Sequence, residues 1–385
     1  MRRLLIVDPT LAAKSPTMRG WLSVASKILP QRFDEVEVWC SDCELIEPWL
    51  KWTKINPVST RGAIQSIFYQ REVRRKISQL SHIYLAETLI QSTGAYLPRA
   101  DIRFIQFWNT AFMEAAANRP QFLKFSLRER LFTPSVIRDE AEALKSGNTG
   151  EWWCVSRGIA APILRDSEQA PVIRYIPNTY DPARFNHSVR LLWYEKMRRD
   201  YGFAPEEVVL GFSAMGHFER KGLRQAVQVV EALRRLGHPV SLLVLGGGAA
   251  TIKKFRHEMK HLKVGLEGVH FAGMVTEIEK HISAADAFFM PSHFEAFSLA
   301  EIEAAALGLR LYLTAHPGHE MILREDINGK LLPWDPQGMT AILDREVREG
   351  IIRHKHHEMG EALVEETYAT AMASHYDAAI ARKWA

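Results

Sequence analysis

The sequence predicts an α/β protein made of two doubly wound, Rossmann-like domains, and three observations support this. Short apolar runs typical of buried parallel strands recur along the chain, most of them followed by a helical pattern. The 385 residues are enough for two hydrophobic cores of ordinary size. The content of 47% hydrophobic and 24% charged residues is that of an ordinary globular protein. In such a fold, ligands bind at the carboxyl ends of the strands.

The clearest strand, loop and helix unit lies between Phe288 and Gly308 and reads FFMPSHFEAFSLAEIEAAALG. Its uncharged beginning predicts a strand, and Ser298 with Glu301 three residues later forms the pattern of a capping box at a helix start. The first backbone N–H groups of a helix have no acceptor within it and can bind an anion. The N–H groups at this helix start belong to Phe297, Ser298 and Leu299.

Two carboxylates bracket this predicted anion site, Glu295 in the loop and Glu303 one turn inside the helix. Carboxylates repel phosphate, but they accept hydrogen bonds from neutral hydroxyl groups. The pattern therefore indicates a ligand with hydroxyl groups on both sides of a phosphate, which is the chemistry of a nucleotide sugar.

Glu295 and Glu303, placed after PSHF and before AAALG, resemble the E-x7-E motif of retaining glycosyltransferases of family 4, which have the two-domain GT-B architecture. The resemblance implies that Glu303 holds the nucleotide ribose, that Glu295 lies near the donor sugar and acts in catalysis, and that the loop amides hold sugar or phosphate oxygens. It also implies two domains facing a central cleft, where a sugar moves from a nucleotide-diphosphate sugar to a hydroxyl acceptor. Surface polysaccharide, lipopolysaccharide or glycolipid synthesis is the usual role of such enzymes.

Two further segments resemble motifs of the same family. GHFERKGL, which begins at Gly216, is similar to G-R-L-x-x-K-G. It implies that Lys221 contacts the donor diphosphate as a catalytic cation, with Arg220 as the nearest second cation because the usual early Arg is absent. HFAGMV is similar to a loop that borders the nucleotide base, which places Met274 there. A solvated loop lysine is the alternative interpretation of Lys221.

IPNTYDPARF, residues 176–185, resembles the motif that ends the first domain of such enzymes. We expect an acceptor-binding domain over 1–188, a nucleotide-sugar-binding domain over 189–365, and a last helix, about 366–385, that crosses back to the first domain. The resemblance is loose in the first domain, where the strand 101–109 lacks the family's His. The acceptor-side candidates are Glu87 and Asn109, at the ends of strands predicted over 82–87 and 101–109, and Arg19 in the first helix.

A basic amphipathic helix is predicted over residues 60–80. Its expected buried stripe is Ile64, Ile67, Phe68, Val73 and Ile77, and its expected exposed cations are Arg71, Arg74, Arg75 and Lys76. Together with a net charge of +4, this pattern allows peripheral contact with an anionic membrane carrying a lipid-linked acceptor. A solvated helix face explains the same residues. We expect a cytoplasmic protein, with the inner face of the membrane as a further location, and no nucleic-acid partner.

The donor needs no cofactor and no metal if protein cations neutralise its diphosphate. His354, His356 and His357 do not share one helix face and predict no metal site. Cys40 and Cys43 form a C-x-x-C pair, for which redox chemistry and half a zinc site are the functional interpretations. Only one other cysteine is present, so we favour ordinary free cysteines.

Two other functions fit the same donor pocket. A GT-B-fold nucleotide-sugar epimerase or hydrolase would act without an acceptor, and analysis of the product separates it from a transferase. A non-catalytic nucleotide-sugar-binding scaffold would fit the absence of the family's His and early Arg. The presence of Glu295, Glu303 and Lys221 argues against a decayed site. A sugar phosphorylase would need a further phosphate or pyridoxal-phosphate site, which the sequence does not indicate.

Overall fold

A computed structural model describes residues 1–11, 16–45, 47–55, 63–97, 99–118, 127–145, 150–353 and 364–384, with only the backbone at 16–19, 63–67, 127–132 and 365. These residues form two compact units. The first lies within Met1–Glu114, Lys124–Thr179 and Ala362–Ala385, and the second within Ala115–Leu123 and Tyr180–Glu361. The units meet in sequence at residue 180, earlier than the predicted boundary at 188. In the second unit Arg184 donates to Glu279 at 2.6 Å.

The first unit is built on a parallel sheet, as the sequence predicts. Its described strands are β1 (Arg3–Val7), β2 (Thr10–Leu11), β3 (Glu35–Cys40), β4 (Asp42–Cys43), β5 (Leu50–Lys54), β6 (Thr88–Thr93), β7 (Ile102–Ile105), β8 (Glu151–Cys154) and β9 (Val172–Tyr175). The helices up to residue 179 are α1 (Pro16–Ile28), α2 (Ala63–Ser78), α3 (His82–Ala86), α4 (Asn109–Asn118), α5 (Leu127–Lys145) and α6 (Arg157–Asp166), and the end of α4, from residue 115, belongs to the second unit. The main sheet has the order β5-β3-β1-β6-β7-β8-β9, and β2 pairs with β4.

The strands of this sheet alternate between two apolar layers. Leu4 and Ile6 of β1 pack in the core formed with α1, whereas Leu5 and Val7 pack in a second core with α2. A sheet buried on both faces explains why β1 is a continuous apolar run rather than an alternating one.

The strand predicted over residues 82–87 is wrong, because this segment is helix α3. Ser81 caps it by accepting a hydrogen bond from the amide of Tyr84 at 3.1 Å, and the strand β6 begins only at Thr88. The hydroxyl of Tyr84 donates to Glu37 in β3 at 3.0 Å. A long-range contact and a cap therefore override the β propensity of the sequence HIYLAE.

The basic helix is present as α2, but its buried stripe is rotated from the predicted one. Tyr69 and Val73 are buried, whereas Phe68 is 37% exposed. Arg74 is not a free surface cation, because it donates to the carbonyl of Tyr96 at 2.8 Å and forms an ion pair with Asp139. The side chains of Ile64 and Ile67 lie outside the described part of the chain.

The second unit is built on a six-stranded parallel sheet with the order β12-β11-β10-β13-β14-β15. Its strands are β10 (Val208–Ser213), β11 (Val240–Leu245), β12 (Val269–Gly273), β13 (Ala287–Met290), β14 (Arg310–Thr314) and β15 (Gly329–Leu332). Its helices are α7 (His187–Tyr201), α8 (Leu223–Arg235), α9 (Ala249–His261), α10 (Ile278–Ile282), α11 (Leu299–Ala306) and α12 (Pro336–Arg348), with a 3-10 turn at His319–Met321. The predicted unit of strand, loop, helix and strand is β13, α11 and β14.

The last helix, α13 (Glu365–Trp384), lies in the first unit and packs against α1. Its Tyr376 is fully buried, accepts a hydrogen bond from the indole of Trp21 at 3.1 Å and donates to Gln91 at 2.6 Å. Across the described ranges, no helix has the length and apolar content needed to cross a membrane.

Candidate active site

The candidate site lies at the carboxyl edge of the second sheet. Since all its strands are parallel, the loops that follow β10, β11, β12 and β13 emerge at this one edge. Three of them carry the predicted donor-binding motifs: residues 214–222 after β10, 274–277 after β12 and 291–298 after β13. Such an edge is where open parallel sheets bind their ligands.

The loops after β10 and β13 are joined through their backbones. The amide of His293 donates to the carbonyl of Arg220 at 2.8 Å. Gly222 has a φ of +77°, and a Cβ atom at this position would lie 2.0 Å from the carbonyl oxygen of Pro291. Only glycine allows both this conformation and this approach. The contact fixes Lys221, next to Gly222, against the loop that carries Glu295.

Glu295 is 6% exposed and lies between two cations. Its carboxylate is 2.9 Å from Nζ of Lys221 and 3.5 Å from Nη1 of Arg220. Burial raises the pKa of Glu295, but the charges of Lys221 and Arg220 outweigh burial and hold the pKa below its ordinary value. Glu295 is therefore ionised at neutral pH and can accept hydrogen bonds from ligand hydroxyls. The structure thus brings together two residues predicted to act in catalysis.

Helix α11 begins at this loop, with Ser298 in an extended conformation at its N-cap. The predicted capping box is wrong, because the Ser298 hydroxyl makes no cap hydrogen bond and Glu301 instead lies 3.1 Å from Nε2 of His316. Within the described residues, the amides of Ser298 and Leu299 donate no hydrogen bond to another backbone group. They remain available to an anion, as the sequence predicts for a helix start. Phe297, the third predicted residue, is 5% exposed.

Glu303 lies one turn further along α11 and is 9% exposed. It is close enough to Arg184 to act on it electrostatically. The pKa of Arg184 is raised mainly by its hydrogen bond to Glu279, against the effect of burial, and further by the charge of Glu303. Sequence reasoning missed Arg184 as a residue near the site, although it lies inside the motif IPNTYDPARF.

Glycines shape the remaining loops of this edge. Gly246, after β11, has a φ of +94°, and a Cβ atom there would lie 2.2 Å from the carbonyl oxygen of Ala214. Gly216, a predicted donor-binding residue, has a φ of +108°. Met215 and the predicted Met274 are 68% and 59% exposed, on the loops that flank β11 on either side. They offer apolar surface at the site, and the role of Met274 at a nucleotide base stays a prediction.

Glu87 was predicted on the acceptor side, at the end of a strand, but the structure places it elsewhere. It is the C-cap of α3 and precedes β6, so it lies at the amino end of the first sheet, not at its ligand-binding edge. There its carboxylate is 3.9 Å from the amino group of Met1. The error follows directly from reading α3 as a strand.

Asn109 lies beyond the carboxyl end of β7, on the correct edge, but its side chain is already engaged. Its amide nitrogen Nδ2 donates to Glu140 at 2.9 Å, at the start of α4. Gln106 is a stronger candidate that sequence reasoning passed over. It is 7% exposed, and neither atom of its amide has a hydrogen-bond partner among the described residues. The side chain of Arg19 lies outside those residues.

The three cysteines, Cys40, Cys43 and Cys154, are free thiols. Within the described ranges, no group of three or more His, Cys, Asp or Glu side chains is placed to hold a metal ion. Residues 354–357, with the tract of histidines, lie outside those ranges. Activity without metal or cofactor stays a prediction.

Residues 206–347 match the family model of glycosyl transferases group 1. An uncharacterized glycosyltransferase of Methanocaldococcus jannaschii is 24% identical over 178 residues, which are 45% of this chain and 44% of that protein. The chain thus spans less than half the length of this curated relative.

Solved structures resemble nearly the whole chain. WaaG, a glycosyltransferase involved in lipopolysaccharide biosynthesis, superposes with a TM-score of 0.69 at 17% identity and covers 97% of this chain and 95% of its own. HepE of Anabaena, in complex with UDP and glucose, superposes with a TM-score of 0.67 at 13% identity, covering 98% of this chain and 100% of its own. The chain therefore has the GT-B fold, and residues 206–347 in its second unit match the model of glycosyl transferases group 1.

Proposed function

We propose that this protein is a glycosyltransferase that takes a sugar from a nucleotide-diphosphate sugar and transfers it to a hydroxyl acceptor with retention of configuration. The observation that carries the proposal is the ion pair of Lys221 with the buried Glu295, directly before the open N-terminus of α11. A cation, a carboxylate and free amides are the groups needed to bind a phosphate next to a polyhydroxylated ring.

The diphosphate is the leaving group, and negative charge grows on it as the bond to the sugar breaks. Lys221 and the amides of Ser298 and Leu299 would stabilise this charge, since all are fixed before the reaction begins. Arg220 contributes a second positive charge, and its own hydrogen bond to the carbonyl of Phe294 holds it in the loop. Protein cations would thereby neutralise the diphosphate without a metal ion.

The two motif carboxylates would bind the two hydroxyl-bearing ends of the donor. Glu303 would accept hydrogen bonds from the ribose hydroxyls. Glu295 would orient the sugar and stabilise positive charge on its oxocarbenium-like state. The lowered pKa of Glu295 supports this role, because only the ionised carboxylate can do both.

The acceptor and pathway are proposed from relatives. WaaG acts in lipopolysaccharide biosynthesis, and HepE binds UDP and glucose. We propose surface polysaccharide, lipopolysaccharide or glycolipid synthesis for this chain. NMR of the product anomer tests retention: a product with the donor's anomeric configuration supports it, and the opposite anomer contradicts it.

A thermal-shift screen against UDP-, GDP-, ADP- and TDP-sugars, with each free nucleotide alongside, tests the donor site. A ligand that binds only the folded state raises the melting temperature by mass action, by an amount corresponding to about 2.7 kcal/mol when its concentration is a hundred times Kd. We expect one nucleotide class to give a clear shift, and Lys221→Ala and Glu303→Ala to abolish it.

Lys254→Ala is the matched control, since Lys254 is an exposed lysine of the same unit on α9. It should retain the full shift. Absence of a shift with every nucleotide, from well-folded protein, would contradict the donor site. Release of free sugar or its epimer without any acceptor would favour the hydrolase or epimerase instead.

We further propose peripheral membrane contact through α2, on the cytoplasmic side. Phe68 is 37% exposed and Arg71 is exposed on the same helix, whereas the exposed Arg75 is paired with Glu72 at 2.6 Å. An apolar side chain among cations is the pattern that anchors a helix at an anionic bilayer surface. Arg74, paired with Asp139, is no part of this surface.

The membrane contact predicts salt-sensitive binding to vesicles. The protein should sediment with vesicles containing phosphatidylglycerol, less so with pure phosphatidylcholine, and lose binding as salt screens the charges. Phe68→Ser/Arg71→Ser should weaken binding several-fold, since each surface cation contributes about 1 kcal/mol. Arg235→Ser, which removes a 73% exposed arginine elsewhere, is the control. Equal sedimentation of both variants would rule out α2 as the contact.

A further inference from the structure

A buried contact between a carboxyl group and an imidazole lies next to the proposed donor loop. Oε1 of Glu301 is 3.1 Å from Nε2 of His316, and both side chains are fully buried. Among the described residues, none of the four polar atoms of these two side chains has a hydrogen-bond partner, so the contact is close but lacks hydrogen-bond geometry. Two buried polar side chains without hydrogen bonds add little net stability, because their desolvation offsets the attraction between them. Stability is therefore a poor explanation for this pair.

The position of the pair suggests what it does. Glu301 lies in the first turn of α11, and His316 lies in the loop that follows β14. The pair thus ties two segments of the chain that flank the donor loop. Glu301 occupies one of the seven unspecified positions of the E-x7-E motif, His316 lies outside it, and neither residue was predicted to form this contact.

The loop that carries His316 supports the backbone of the donor loop. The hydroxyl of Thr314 donates to the carbonyl of Ser292 at 2.6 Å, and the amide of Gly318 donates to the carbonyl of Glu295 at 3.3 Å. A Cβ atom at Gly318 would lie 2.7 Å from the carbonyl oxygen of Ala296. His316 lies between these two attachment points. Movement of His316 would therefore reach the backbone of Glu295.

We propose that Glu301 and His316 position Glu295, and so determine how well the enzyme holds the sugar part of its donor. This inference rests on the proposed function. The pair fixes the loop of residues 314–318 on α11, that loop fixes the main chain of Glu295, and the Glu295 carboxylate then points at the sugar. The diphosphate is held separately, by Lys221 and the first amides of α11. The pair contacts the backbone of Glu295 through the loop and touches neither Lys221 nor the first amides of α11, so we expect it to affect the sugar more than the diphosphate.

Calorimetric titration of two ligands tests this separation. The ligands are the nucleoside diphosphate identified by the donor screen and the nucleotide sugar built on it. Glu301→Gln and His316→Gln should bind the free diphosphate within about twofold of the wild type, but the nucleotide sugar about tenfold more weakly, the usual size of coupling between contacting residues. The double variant should bind the nucleotide sugar about as well as the single variant that binds it less tightly, because both substitutions break the same contact.

Glu346→Gln is the control for a merely structural loss. Glu346 also forms a buried pair in this unit, with Arg310 of β14 at 2.8 Å, but it lies on α12. This variant should melt at a lower temperature without changing the ratio of the two affinities. If His316→Gln fails to fold, the affinities of Glu301→Gln for the two ligands test the proposal on their own.

Equal losses for both ligands, no loss for either, or additive losses in the double variant would overturn the positioning role. If the wild-type chain bound neither ligand, the proposed function would fail together with this inference. Binding of both ligands by the wild type with an unchanged affinity ratio in the variants would overturn the inference alone.

Discussion

Replacing Lys221 with Ala is expected to lower kcat/KM for sugar transfer by about 100- to 1000-fold, the usual loss when one fixed group that stabilises transition-state charge is removed. Lys221 is the cation nearest to Glu295, and its loop is fixed by the glycine contact with Pro291. Arg220 would not replace it, since it lies 3.5 Å from the same carboxylate and donates to a backbone carbonyl. Initial rates with the identified donor, compared with those of Lys254→Ala, measure the effect.

The same substitution should also destabilise the second unit, by about 1–3 kcal/mol, because it leaves the buried Glu295 without its closest partner. Lys221→Ala/Glu295→Gln removes the unpaired charge as well and should recover most of this stability without recovering activity. Urea unfolding and initial rates of the two variants separate the two effects. Recovery of activity in the double variant would contradict a direct catalytic role for either residue.

The pH dependence of this destabilisation has a definite sign. The pKa of Glu295 in the folded protein is below the ordinary value of 4.5, so the ion pair stabilises the fold above that value and loses its effect as pH falls through the lowered pKa. The difference in unfolding free energy between wild type and Lys221→Ala should therefore shrink in acid. A difference that grew in acid would mean that Lys221 does not act through Glu295.

Gly222→Ala is expected to have the largest effect on the fold of the site. The position needs a φ of +77°, which costs a non-glycine residue about 1–2 kcal/mol, and the new Cβ atom would lie 2.0 Å from the oxygen of Pro291. Backbone cannot move away as easily as a flexible side chain, so the loops must separate. We expect a loss of at least about 3 kcal/mol and loss of donor binding.

Gly202→Ala is a matched control for this substitution. Gly202 has nearly the same φ, +74°, at the end of α7 in the same unit, but no atom lies within 4 Å of the position that a Cβ atom would take there. It should therefore show the conformational cost alone, about 1 kcal/mol, and bind the donor normally. If Gly222→Ala and Gly202→Ala lowered the free energy of unfolding equally, the close approach of Gly222 to Pro291 would not contribute to stability.

The second unit was largely predictable from the sequence because its signals are local. The uncharged strands, the glycines after them and the loop motifs each lie within about ten residues, and the E-x7-E motif spans a single loop and helix start. Lys221 and Glu295 were each predicted as catalytic residues, and their motifs follow neighbouring strands, β10 and β13. Their proximity follows from parallel strands meeting at one edge.

The errors arise where distant residues decide the local structure. The segment 82–87 looked like a strand, yet Ser81 and the remote Glu37 hold it as a helix. Because this segment was predicted as a strand, Glu87 was expected at the carboxyl end of the sheet, whereas it lies at the amino end. Asn109 is occupied by Glu140, a partner 31 residues further along the chain that no local pattern reveals.

The start of α11 shows the same limit at the site itself. Ser298 and Glu301 have the spacing of a capping box, and no local signal distinguishes a capping Glu from one paired elsewhere. The position of Glu301 depends instead on His316, which belongs to the loop after the next strand and lies against Glu301. The buried amide of Gln106 escaped notice for a similar reason: its lack of partners among the described residues is a property of the folded chain.

A crystal structure with the nucleoside diphosphate bound is the most direct test of the donor site. The account predicts phosphate oxygens at about 3 Å from the amides of Ser298 and Leu299 and from Nζ of Lys221, with the ribose hydroxyls on Glu303. Phosphates bound instead at the glycine turn 246–248, or anywhere in the first unit, would contradict it.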